Sequence, residues 1–145
     1  MRFLPLALLA LVCVSPHAMA AQNIAPQIRA DHPYLGKWMW AYNGCNEVYE
    51  NRSNGTSKIT SGEEVGESAF TISDEPERSG FYSVTDTVTN SNGKTGCDGT
   101  SGGTPVGDVA AFYVFIRPSN EEMLICQDES INQCMGPLKR IVNKP

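Results

Sequence analysis

Cys45-Asn46-Glu47-Val48-Tyr49-Glu50-Asn51-Arg52-Ser53-Asn54-Gly55-Thr56-Ser57-Lys58-Ile59-Thr60 is the stretch whose reading decides the fold. Two runs of strand length, residues 45–53 and 56–60, flank Asn54-Gly55. Asn-Gly is the pair that most readily takes positive φ at both central positions of a type I′ turn, so the stretch predicts an antiparallel hairpin. Neither run carries the 3.6-residue spacing of an amphipathic helix.

Working outward, the same grammar repeats. Residues 36–42 place Trp38, Trp40 and Tyr42 on one face and Lys37, Met39 and Ala41 on the other, and Asn43-Gly44 ends the run. Downstream, residues 64–72 lead through the loop Asp74-Glu75-Pro76-Glu77 to residues 81–89, where β-branched and aromatic side chains alternate with polar ones. A second Asn-Gly, Asn92-Gly93, predicts another turn with a short strand at 94–97, and the Gly-rich residues 96–107 read as loop. Residues 109–117 form the most apolar run, and Pro118-Ser119-Asn120-Glu121 turns it into residues 123–127 as a core hairpin. A helical turn at 128–133 and a last strand at 138–143 complete the pattern. About eight strands joined by short, sequence-adjacent turns predict an all-β protein. Its antiparallel up-and-down meander would close into a small barrel and so remove its own edges.

The chain has 145 residues. Arg2, the apolar run 3–14 and the small residues Ala18 and Ala20 have the form of a secretory signal peptide, too short to span a bilayer. The sequence thus predicts a leader at 1–21, an extended N-terminal arm at 22–33 and a single β-barrel domain at 34–145, in a secreted or periplasmic protein without a membrane anchor. The formal net charge of −5 becomes −6 once Arg2 leaves with the leader, since the leader carries no acid. An acidic surface counts against nucleic acid and anionic lipid as partners. Removing Cys13 leaves Cys45, Cys97, Cys126 and Cys134, an even number that in an exported chain reads as two disulfides with three open pairings. Cys126–Cys134, closing a short loop, with Cys45–Cys97, stapling an early strand to a mid-chain loop, is the favoured set. A zinc tetrathiolate is the rival, and it lacks the closely spaced cysteine pairs such sites use.

Leu35-Gly36-Lys37-Trp38 resembles the Gly-x-Trp signature of the lipocalin and calycin superfamily of exported up-and-down barrels. The resemblance implies structural roles for Gly36, Trp38 and Arg140, the arginine packing across the tryptophan at the closed end of the barrel. The middle motif of that family, Thr-Asp-Tyr, is represented at most by Thr85-Asp86-Thr87, without its aromatic. A trunk preceding Gly-x-Trp and a cysteine soon after it, here Cys45, also resemble the small periplasmic inhibitors of bacterial metalloproteases.

Candidate chemistry is sparse. His32, Asp74 or Asp86, and Ser101 within Gly99-Thr100-Ser101-Gly102-Gly103 follow the chain order of a chymotrypsin-type triad, but such a protease needs two barrels and a histidine held between them. The acidic groups Glu63-Glu64, Asp74-Glu75-Glu77 and Glu121-Glu122 fall at strand ends and turns and read as solvated loops, with no calcium-loop pattern. No metal ligand set and no cofactor are expected. Aromatic side chains are the best binding candidates: Trp40, Tyr42, Tyr49, Phe81 and Tyr113. The expectation is a non-enzymatic binding protein on a lipocalin-like barrel, holding a small apolar ligand or an extracytoplasmic protein partner. The alternative is a periplasmic hydrolase inhibitor, of a protease or a lysozyme-type enzyme, acting through its N-terminal arm or rim loops.

Overall fold

The structure, a computed structural model, describes residues 27–142; the expected leader, residues 22–26 of the arm and residues 143–145 lie outside the described residues. Eight antiparallel strands follow one another around a closed barrel: β1 Gly36–Tyr42, β2 Cys45–Asn51, β3 Thr56–Ser61, β4 Glu64–Ile72, β5 Tyr82–Ser91, β6 Val109–Ile116, β7 Glu122–Cys126 and β8 Cys134–Ile141. Each pairs with its sequence neighbour, and β1 pairs with β8 through Lys37↔Ile141, Trp38↔Arg140 and Met39↔Lys139. Closure leaves no unpaired strand edge.

Two of the three Asn-Gly pairs behave differently from their sequence expectation. Asn43 and Gly44 both take positive φ, 47° and 78°, and form the two-residue turn between β1 and β2. At Asn54-Gly55 only Gly55 does so, with φ 74°. There the Gly55 amide donates to the Arg52 carbonyl at 3.0 Å, and the Arg52 amide to the Thr56 carbonyl at 2.9 Å. That is a longer loop with its left-handed residue last, and the Asn54 side chain instead accepts from the Thr56 amide. Asn92-Gly93 makes no hairpin, and residues 94–97 form no strand. The Asn92 side chain accepts from the amides of Val65 and Lys94, and the Glu63 amide donates to the Thr95 carbonyl, so this segment is tied to the β3–β4 turn instead. The helical turn expected at 128–133 is a single 3₁₀ turn, Ile131–Gln133.

Both disulfides are the favoured ones, Cys45–Cys97 and Cys126–Cys134. With all four thiols paired, no thiolate remains among them for zinc. Both bonds lie at the same end of the barrel, one fixing the long 92–108 loop to the β1–β2 hairpin and the other joining β7 to β8 around residues 127–133. Disulfides of this kind fit an oxidising, extracytoplasmic environment. No helix among the described residues is long and apolar enough to cross a membrane.

The opposite end is closed by the chain entering the barrel. The Ile28 amide donates to the Ser53 carbonyl at 2.9 Å, and Ile28, His32 and Tyr34 are all buried. Residues 28–35 are therefore packed against the barrel end rather than extended from it. Here the core concentrates, with Trp38, Val114, Leu138, Met123, Val84 and Phe70 filling the lumen. The Arg140 guanidinium lies 4.1 Å from the Trp38 ring centroid. It donates to the carbonyls of Leu35 at 2.8 Å, Pro33 at 2.6 Å and Asn120 at 2.6 Å. Gly36 lies below it with φ 108°, and a Cβ there would stand 2.9 Å from Arg140 Nη1. Only glycine allows the guanidinium this approach.

Arg140→Ala is expected to cost about 3 kcal/mol, since three carbonyls lose a charged donor and the indole loses its cation. Arg140→Lys should lose roughly half as much, because one ammonium cannot serve three carbonyls and a ring face together. Urea denaturation reads both, and a loss under about 0.5 kcal/mol for Arg140→Ala would show that the end closes without this contact.

Candidate functional site

The pairing register decides which side chains reach the lumen. Trp38 and Trp40 of β1 stand opposite Tyr49 and Glu47 of β2, which stand opposite Ile59 and Ser61 of β3. Ile59 and Ser57 then face Gly66 and Ser68 of β4. Beyond a register shift between Glu67 and Ser68, the inward row of β5 is Tyr82, Val84, Asp86 and Val88, facing Val114, Phe112 and Ala110 of β6 across the Tyr82, Val84 and Asp86 pairs. Alternate residues of one strand share one face, so these sets line the interior and their neighbours line the outside.

The interior is filled at the closed end and hollow above it. A lower cavity of about 160 Å³ is lined by Tyr34, Tyr49, Ser57, Ile59, Asp86, Phe112, Ile125 and Met135. An upper one, also about 160 Å³, lies toward the long loop between Ile59, Gly66, Val88, Asn90, Ala110, Glu64, Thr104, Asp108 and Asp86. The upper space exists because Gly66 and Ala110 bring almost no side chain to the inward rows. Ile59 and Asp86 line both cavities, so these two residues stand at the boundary between them.

Polar groups in the lumen are mostly satisfied by one another. Ser57 donates to Asn51 at 2.8 Å, and Asn51 and the Trp38 indole N–H both donate to the Tyr34 carbonyl, at 3.2 and 2.9 Å. Glu47 accepts from Tyr49 at 2.5 Å and from Ser61 at 2.8 Å. Glu64 accepts from the Thr104 amide at 2.6 Å and more distantly from Ser91, holding the long loop over the upper cavity. Burial pushes the phenols of Tyr34 and Tyr49 far above the usual tyrosine range, and the acids Asp86 and Glu47, respectively, add to it. Both hydroxyls are neutral at any physiological pH.

Asp86 is the exception. Its carboxylate accepts one bond, from Ser68 at 2.7 Å, and among the described residues neither cavity is lined by a lysine, arginine or histidine. Burial raises its pKa, with the Ser68 hydrogen bond working in the opposite direction. No group of three or more metal-ligating side chains is assembled among the described residues.

The structure distributes the sequence-derived candidates unevenly. Tyr49 lines the lower cavity, Trp40 faces inward against the core, and Tyr42, 53% exposed, stacks on Trp40 at the open rim with ring centroids 5.0 Å apart. Phe81 and Tyr113 do not reach the lumen. Phe81 is buried against Phe115 on the outside of the barrel wall, and Tyr113 alternates with the inward Phe112 and Val114. Glu64, expected in a solvated loop, reaches the upper cavity, whereas Glu75 pairs with Arg29 and Glu122 with Arg117 on the surface. His32 and Ser101 stand at opposite ends. His32 accepts from the Tyr34 amide and bonds the Ser73 carbonyl beside the closed end, while Ser101 lies in the long loop at the disulfide-bonded end. In the sequence Asp86 stands out only as an alternative triad acid and within Thr85-Asp86-Thr87. The signal for its place was the row Tyr82, Val84, Asp86, Val88, in which one acid interrupts an apolar face.

The raised pKa makes Asp86 a cost to stability with a definite pH dependence. Below the pKa of the unfolded chain, near 3.9 for a free aspartate, the group is neutral in both states and costs nothing. As pH rises the unfolded chain ionises first, so the penalty grows until the higher folded-state pKa is passed and then stays constant. Asp86→Asn, which can still accept from Ser68, is therefore expected to raise the urea midpoint at pH 7, with the gain fading toward about pH 3. No gain at pH 7 would mean that the lumen solvates this carboxylate as well as water does. Comparisons with protein-family models, curated proteins and solved structures yield no match to this chain.

Proposed function

We propose that this chain is an exported, non-enzymatic binding protein that holds a small, apolar-bodied ligand in the lumen of a lipocalin-like barrel. The observation that carries this reading is the pair of adjacent cavities above a closed end, which share Ile59 and Asp86 in their walls. Each is close in size to an engineered cavity of about 150 Å³ that accommodates benzene, so together they suit a molecule built on one ring or a short chain. The contact of Arg140 with Trp38 beside Gly36 supports the lipocalin-like assignment, since it is the closed-end arrangement that the Gly-x-Trp resemblance implies. The leader-like residues 1–21 support export to the periplasm or beyond, in keeping with the two disulfides.

A second reading, a protein partner or an inhibited hydrolase engaged through the rim, is favoured by one observation. The open end and its loops expose Tyr42, Val106, Val109 and Ile131, with relative exposures of 53 to 66%. Insertion of the arm 22–33 into an enzyme is less favoured, because residues 28–33 are held against the barrel.

Indole is a suitable first probe for the lumen. Saturable one-to-one binding is expected, read from amide shifts in the ¹H–¹⁵N spectrum at residues 125, 112 and 49. Ile59→Phe, which adds bulk to the wall shared by both cavities at a cost of about 1–3 kcal/mol for overpacking, should weaken binding at least about tenfold while leaving the β-sheet circular dichroism intact. Shifts confined to the rim, or no saturable shifts, would sink the ligand-carrier reading in favour of the partner-binding one.

A further inference from the structure

We propose that the ligand class of the lumen is a small organic cation, an ammonium head on an apolar body, with Asp86 as its counter-ion. This rests on the ligand-carrier reading above and deepens it. Asp86 is half-buried, and a carboxylate partly withdrawn from water is favoured by pairing or by further hydrogen bonds. Within the barrel Asp86 has a single hydroxyl partner, Ser68, and no cation among the described residues lines the space it faces. The other lumen acids are differently placed: Glu47 is held by two hydroxyls, and Glu64 by a backbone amide and a hydroxyl.

The two cavities differ in a way that orients the guest. Below Asp86 the walls are Phe112, Ile125, Met135 and Tyr49, suited to an apolar body. Above it Glu64, Asp108, Asn90 and Thr104 share the lining with Ile59, Gly66, Val88 and Ala110, and the added acids disfavour an anion and suit a positive head. An ammonium beside Asp86 would donate to its carboxylate and keep its remaining hydrogens toward this wall, with its body against Phe112, Ile125 and Met135. Charge-assisted hydrogen bonds of this kind are about twice as strong as neutral ones, so the carboxylate should discriminate sharply by charge. The chain's net charge of −5 adds a favourable long-range field for a cationic guest.

The test compares three probes of nearly equal shape at pH 7 on the folded full chain: 2-phenylethylamine, which is protonated there, 2-phenylethanol, and propylbenzene. Amide shifts in the ¹H–¹⁵N spectrum report affinity and location together. The amine is expected to bind at least about tenfold tighter than either neutral probe, with shifts at residues 86, 112 and 125, and Asp86→Asn should bring the three affinities together. Glu67→Gln, which removes an exposed, outward-facing acid of β4 that lines neither cavity, should preserve the amine's advantage. Should the amine bind no tighter than the neutral probes, keep its advantage in Asp86→Asn, or shift only surface carboxylate loops, the cation assignment is overturned while binding of the neutral probes leaves the ligand-carrier reading standing. Failure of all three probes to bind overturns both.

Discussion

The stacking of Arg140 on Trp38 is the contact on which the rest of the barrel depends. An up-and-down barrel has one seam that no hairpin closes, between its first and last strands, and here that seam is β1 against β8 with three paired positions. Trp38 and Arg140 are themselves a pair in that register. The guanidinium then reaches past the seam to carbonyls of the entering chain at residues 33 and 35, and of the β6–β7 loop at Asn120. One side chain thus joins the N-terminal segment, the first strand, the last strand and a distant turn. The planar, forked donor set of arginine is what permits this, with a face left over for the indole.

Closing one end so tightly leaves the other to be managed by different chemistry. At the closed end burial is nearly complete and apolar, and the few polar groups, such as Asn51 and the Trp38 indole, converge on the Tyr34 carbonyl. At the open end the strands diverge into a turn, a long Gly-rich loop and a short 3₁₀ turn, none of which buries a large side chain. Two covalent bonds hold it, Cys45–Cys97 and Cys126–Cys134, and each restricts the unfolded chain where hydrophobic contacts are scarce. The glutamate of the β4 edge, Glu64, completes the arrangement by binding the loop backbone. A cavity survives between these two regions because neither device needs to fill the lumen in order to stabilise the fold.

Much of this architecture was legible from local patterns, because strand alternation, turn chemistry and cysteine parity are all properties of near neighbours. The seven residues of β1 and the nine of β4 follow directly from alternation bounded by turn residues. What local pattern does not contain is which of two faces points inward when both are apolar. In Phe112-Tyr113-Val114-Phe115 either set satisfies alternation, and only pairing with β5 and β7 turns Phe112 and Val114 into the barrel. Asn-Gly likewise signals a bend without specifying its length. At Asn43-Gly44 the flanking strands meet at the turn itself, while at Asn92-Gly93 the Asn92 side chain is captured by backbone groups of residues 63 and 65, forty and more residues from the loop's other anchor at Val109. The packed segment 28–35 was invisible for a related reason: its hydrophobic partner surface is made by strands far ahead in sequence.

Asp86 shows why the site was harder to see than the fold. Rules that find folds reward consistency, and an acid in an apolar row is read as noise, a strand end or a misplaced face. In the barrel it stands mid-strand, paired with Phe70 on β4 and Ala110 on β6, and lines both cavities. A serine from the neighbouring strand gives it one hydrogen bond, which lessens the cost of burial without removing it. Asparagine would keep that bond and shed the charge, and a valine would extend the core upward from Val84. Both replacements remove the charge that burial disfavours, but only asparagine keeps an acceptor for Ser68. A half-buried charge at the boundary of two empty spaces is the feature that the proposed ligand would use.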